Sequence, residues 1–142
     1  MENVFVPEKV FAGRSQGKGY LRLPGRTRAL TVQSLGVVQA DGRFRLQQDV
    51  KFEGRPAQSR VWLMWQTAPG KYAATLTGAA GPVVGGIRGN RLTLRYPLTR
   101  WGLVMHQTLD LNRDGRSVEN YGDIRFMGVR VGRLRETIQM QR

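Results

Sequence analysis

The chain has 142 residues, 40% hydrophobic and 23% charged, which suits one domain with a buried core and argues against global disorder. It contains no cysteine, so disulfides, thiolate metal sites, cysteine nucleophiles and a lipid-modified cysteine are all excluded. Its 23 Lys and Arg against 10 acids give a net charge of +13, a field that attracts nucleic acid, anionic membrane or acidic proteins.

The N-terminal stretch MENVFVPEKVFAG carries acids and a proline where a secretory leader needs basic and then apolar residues. The expectation as written is a cytoplasmic protein, or a periplasmic or membrane-associated one if a leader has been removed. Pro7 to Ala12 is the only helical candidate, with proline near its first turn and Gly13 after its end.

From there the period is two rather than 3.6. The predicted strands are 17–23, 30–40, 43–53, 59–66, 71–78, 83–88, 91–98, 103–112, 117–126 and 133–141. In 43–53, Phe44, Leu46, Val50 and Phe52 alternate with Arg43, Arg45, Gln47, Asp49 and Lys51. Leu92, Leu94 and Tyr96 alternate with Arg91, Thr93 and Arg95, and Leu134, Ile138 and Met140 alternate with Arg133, Arg135, Thr137 and Gln139. One face of each strand is therefore buried, and Arg43, Arg45, Arg91, Arg95, Arg133 and Arg135 should lie outside. Asp41-Gly42, Gly89-Asn90 and Asp114-Gly115 supply tight hairpin turns, with further reversals at Pro69-Gly70 and between Glu53 and Pro56.

Sequential strands joined by short hairpins predict an all-β fold: a single antiparallel up-and-down meander closing into a lipocalin-like barrel of about 8–10 strands, with the short N-terminal helix. Phe44, Leu46, Phe52, Leu92, Leu94, Tyr96, Met105, Leu109 and Ile138 should converge inside it. Gly78, Ala74 and Gly122 are small enough to leave a void there. Val61 to Trp65 is apolar on both faces, so its outer side is either covered by Phe5, Val10 and Phe11 or left as a binding patch. Trp101, between two strands, belongs at the barrel rim, where it plugs the mouth or touches a membrane interface.

Phe11-Ala12-Gly13 with Gly17-Lys18-Gly19, then Phe52-Glu53-Gly54, Arg60-Val61-Trp62, Gly70-Lys71-Tyr72, Gly89-Asn90 and Val131-Gly132-Arg133 resemble, in order and spacing, a bacterial family of uncharacterised function. Its members are often described as lipoproteins, and the resemblance runs from about Phe11 to the C-terminus. It implies a lean toward lipid, because genes of the family often neighbour those of fatty-acid-modifying enzymes. It supplies no catalytic residue. The chain departs from the family's pattern in having no leader and no lipidated cysteine.

Motifs for other chemistry fail on their own terms. Gly13 to Gly19 is one residue short of a phosphate loop and has Gly19 where Ser or Thr should hold magnesium. Asp110 to Gly115 matches half a calcium loop, but its twelfth position is Tyr121, and a hairpin turn is the better reading. His106 is the single histidine, faces outward by alternation, and has neither nucleophile nor orienting carboxylate in motif context. No metal site, no cofactor and no enzyme chemistry is expected.

Polar residues in apolar register point instead to a cavity. Gln48 lies between Leu46 and Val50, Gln107 between Met105 and Leu109, and Glu136 between Leu134 and Ile138. They form either a structural hydrogen-bond network or the polar anchors of an apolar pocket, with Tyr96 and Trp62 as further wall residues. Glu136→Leu is expected to change ligand binding more than stability, on the view that its buried carboxylate has no partner. The expected function is non-enzymatic binding of a small apolar or lipid-like ligand. The alternative is a basic β domain that meets anionic membrane, or less readily nucleic acid, through arginine-rich outer strand faces.

Overall fold

A computed structural model describes residues 4–141. One short helix, α1 (Pro7–Val10), precedes ten strands: β1 (Gly13–Leu23), β2 (Arg26–Val38), β3 (Phe44–Phe52), β4 (Gln58–Ala68), β5 (Lys71–Leu76), β6 (Val83–Arg88), β7 (Arg91–Pro97), β8 (Leu103–Leu111), β9 (Ser117–Phe126) and β10 (Val129–Gln141). Each strand pairs antiparallel with its sequence neighbour, and β1 pairs with β10 to close the barrel. This is the meander that period-two alternation and short hairpins predict.

Gly42, Gly70, Gly89 and Gly115 all take positive φ, so the turn chemistry acts where it was expected. Two turns escape the periodicity argument. Gly25 and Gly128 also have positive φ, and they extend β2 back to Arg26 and β10 back to Val129. Met127 shares the second turn at φ 51°, a conformation rare outside glycine, and points its side chain outward.

The predicted interior residues are buried together, with Phe52 only half-buried. The named arginines lie on the outer face, three exposed and three half-buried. Several are held there: Arg91 pairs with Asp110 at 2.7 Å, Arg43 stacks 4.7 Å over Trp65, and Arg135 stacks 5.0 Å over Tyr121. On the outer face of β4, the Arg43 guanidinium thus lies over Trp65.

The N-terminal segment does something else: it plugs one end of the barrel. Phe5, Val10 and Phe11 join the inner cluster with Trp62 and Met64 rather than covering β4 from outside. Phe5 is fully buried, its N–H donates to the Gly89 carbonyl at 2.9 Å, and its ring lies 5.8 Å from Phe11. Glu8 accepts a hydrogen bond from the Tyr72 hydroxyl at 2.8 Å, tying the helix to β5. A side chain at Gly36 would collide with the Phe11 carbonyl oxygen, so that glycine admits the plug. The small residues do not all act as expected either. Gly78 sits in an exposed turn at φ 85°, and Gly122 is packed against Met105 and Leu134, so neither leaves a void.

If the plug belongs to the core, Phe5→Ala will lower stability by about 3–5 kcal/mol in urea unfolding, as for other buried phenylalanines. Val4→Ala, at an exposed neighbour, will stay within about 0.5 kcal/mol of the parent chain.

Candidate functional site

The barrel interior is not filled. A cavity of about 250 Å³ runs from the plug, at Pro7 and Phe11, to the opposite rim, at Phe52, Arg60 and Leu98. Most of its wall is aliphatic or aromatic, contributed by the inward phase of the strands. Gln48, Trp62, Tyr96, Gln107 and Glu136, the five residues singled out from the sequence, all line it.

Four polar groups on the wall form one directional chain. The Tyr96 hydroxyl donates to Gln107 Oε1 at 2.6 Å, and Gln107 Nε2 donates to Asn120 Oδ1 at 3.1 Å. Asn120 Nδ2 then donates to Glu136 Oε1 at 2.8 Å. Tyr96, Gln107, Asn120 and Glu136 come from β7, β8, β9 and β10, so each step crosses one strand boundary of the barrel wall. A second pair lies across β3 and β4: the Trp62 indole N–H donates to Gln48 Oε1 at 2.7 Å, and Gln48 Nε2 reaches Ser34 Oγ at 3.3 Å. The Trp62 and Tyr96 rings meet edge to face at 5.5 Å. The two alternatives left open by the sequence thus coincide in space, because the hydrogen-bond network is itself part of the cavity wall.

Glu136 therefore has a partner, which corrects the expectation for Glu136→Leu. Leucine there would strand the Asn120 amide, a loss of about 1–3 kcal/mol. The carboxyl also needs room that β1 supplies. A side chain at Gly17 would overlap Glu136 Oε2, and one at Gly19 would meet the Arg135 carbonyl oxygen. The Gly17-Lys18-Gly19 element, rejected as a phosphate loop, thus makes space beside Glu136.

Three polar wall residues, Ser34, Arg60 and Asn120, were not anticipated. Asn120 is flanked by charged and aromatic neighbours, and only its inward register on β9 reveals it. Arg60 stands in the same phase as Trp62 and Met64, a signal present in the sequence but obscured by the doubly apolar run that follows. It is half-buried, and its charge reaches the Tyr96 hydroxyl.

Burial holds the Tyr96 hydroxyl well above the usual tyrosine range, with Arg60 acting against the shift and Glu136 with it. Burial likewise pushes the Glu136 carboxyl upward, opposed by the hydrogen bond from Asn120. His106 faces outward and is held below its usual range by burial and by Arg95 and Arg125. Among the described residues no cluster of His, Asp or Glu could hold a metal ion. The half-matched calcium loop is a hairpin in which Asp114 accepts from the Arg116 N–H at 2.8 Å.

The raised Glu136 carboxyl fixes a pH dependence. The unfolded chain loses this proton near the ordinary glutamate value, about 4.3, while the folded chain keeps it to higher pH. Stability from this group is therefore full below that value and is lost as pH rises through the native one. In thermal melts, Glu136→Gln will gain on the parent chain as pH rises through that window. The difference will shrink toward its low-pH level once both states are protonated.

No curated protein and no solved structure matches the chain. The family DUF3833, described as a protein of unknown function, matches it over residues 1–140. In agreement with the resemblance carried by its glycine and aromatic motifs, the chain belongs to the DUF3833 family.

Proposed function

We propose that this protein binds a small apolar or lipid-like ligand inside its barrel. The observation that carries the reading is an internal cavity of about 250 Å³, aliphatic and aromatic over most of its wall, with a few convergent polar groups. Ligand sites are built this way, with apolar area for affinity and sparse polar atoms for orientation. The volume lies just under the usual ~300–1,000 Å³ of such sites, which favours a short or slender ligand.

The uncharged fluorophore N-phenylnaphthylamine tests it. The parent chain will bind it with enhanced emission, and Val32→Phe, which projects into the cavity, will weaken binding by about tenfold, equivalent to about 1.4 kcal/mol. Equal binding by both chains, with Val32→Phe folded by circular dichroism, would place the fluorophore elsewhere. Organic extraction and mass spectrometry of the purified protein would identify a ligand carried from the cell.

A second reading, contact with an anionic membrane surface, is favoured by the rim opposite the plug. Trp101, Met127 and Val129 are 67%, 86% and 65% exposed there, on turns brought together by the Leu103–Phe126 pairing. Exposed Arg100 and Arg130 flank them. An apolar tip ringed by cations suits the boundary between headgroups and acyl chains better than it suits a nucleic-acid backbone. Sedimentation with phosphatidylglycerol vesicles will retain the parent chain, and Trp101→Ser combined with Met127→Ser will lower retention. Retention on DNA that depends on salt and on Arg43, Arg45, Arg91 and Arg95, with no vesicle binding, would favour nucleic acid instead.

A further inference from the structure

The cavity wall holds one cation, Arg60, and one carboxyl, Glu136. They do not form an ion pair with each other, and the Arg60 side chain makes no hydrogen bond or ion pair with any described residue. Most other wall positions are apolar or belong to the neutral hydrogen-bonded groups. A guanidinium withdrawn from water without a counter-charge is costly, and proteins normally pair it. Glu136 instead accepts from Asn120, across β9 and β10, and makes no ion pair with Arg60.

The surroundings of Arg60 suit an anion. Arg60 stands directly across the β3–β4 pairing from Gln48. Gln48 Oε1 is occupied by the Trp62 indole, but its amide nitrogen has two hydrogens and one long bond, at 3.3 Å to Ser34. A guanidinium fork and an amide N–H side by side make a donor set for a carboxylate or a phosphate. Arg60 is also near the rim opposite the plug, with Phe52 and Leu98 half-buried there, while the rest of the wall toward Phe11 is mostly apolar.

We infer that Arg60 and Gln48 form an anion-binding head site, and that the ligand is a short-tailed amphiphile with one acidic head, a carboxylate or a phosphate monoester, whose tail lies in the apolar cavity. This rests on the ligand-binding reading above and names its ligand class. The head sits at the half-buried rim, so its charge is neutralised without full desolvation, and the tail meets a mostly apolar wall.

Isothermal titration with decanoate, decanol, monodecyl phosphate and inorganic phosphate tests the inference. The tailed anions will bind the parent chain at least about tenfold more tightly than decanol. Whichever of decanoate and monodecyl phosphate binds better identifies the head. Arg60→Gln will bring both down to the level at which that variant binds decanol. Gln48→Glu will do the same with Arg60 intact, because it places a carboxylate beside the guanidinium and still accepts the Trp62 N–H. Thermal melts by circular dichroism will show both variants folded, and each alone suffices if the other is not.

Decanol binding as tightly as decanoate, or an anion preference that survives in both variants, would overturn the head site while leaving the apolar cavity reading intact. Inorganic phosphate binding as tightly as monodecyl phosphate would show that the tail contributes nothing, and would overturn the amphiphile. Failure of all the tailed probes to bind would remove the ligand-binding reading itself, and the head site with it.

Discussion

Everything inside this barrel depends on the close approach of β1 to β10. That seam joins the first strand to the last and turns a ten-stranded ribbon into a closed wall without free edges. The approach is tight enough that Gly19 has no room for a side chain beside the Arg135 carbonyl, and Gly17 yields its space to the Glu136 carboxyl. Two glycines one residue apart thus serve closure and polarity together. They let the strands meet, and they let a carboxyl lie against the inner wall rather than across the lumen.

From the seam outward, hydrogen bonding organises the wall. Glu136 on β10 receives from Asn120, Asn120 from Gln107, and Gln107 from Tyr96. All donors point one way around the barrel, so the orientation of each amide is fixed by its neighbour. Such a chain is worth more intact than its pairs taken singly, because breaking one link leaves a buried group unsatisfied. It also satisfies these wall groups against one another, within a lining that is otherwise mostly apolar.

Much of the architecture was legible because alternation is a direct statement about which face is dry. Arg43 to Phe52 and Arg91 to Tyr96 read cleanly, since charged or polar residues occupied every second position. Legibility failed where local sequence gave two signals at once. Val61 to Trp65 is apolar in both phases, and its inward continuation to Arg60 was hidden by that run. The N-terminal segment was expected to pack somewhere, but no pattern within Phe5 to Phe11 states whether it covers a face or stops an end. Its place is set by Gly36, Tyr72 and Gly89, which lie far away in sequence. Glycine was ambiguous for a related reason: Gly78 serves a turn and Gly122 serves packing, although both sit in strand-like surroundings. Within the site, Gln48, Gln107 and Glu136 stood out as polar residues in apolar phase, whereas Asn120 had no apolar run around it to mark it.

The plug has a consequence for traffic. With Phe5, Pro7 and Phe11 seated in one end, the lumen is a blind vessel rather than a conduit. A ligand of the kind proposed would arrive and depart by the same passage, so its uptake and release would be reversals of one motion. The last part to go in is the first to come out, and a guest presents the same end to the outside at both moments. Such a shape bars passage from end to end, so a ligand of the kind proposed would be held rather than conducted.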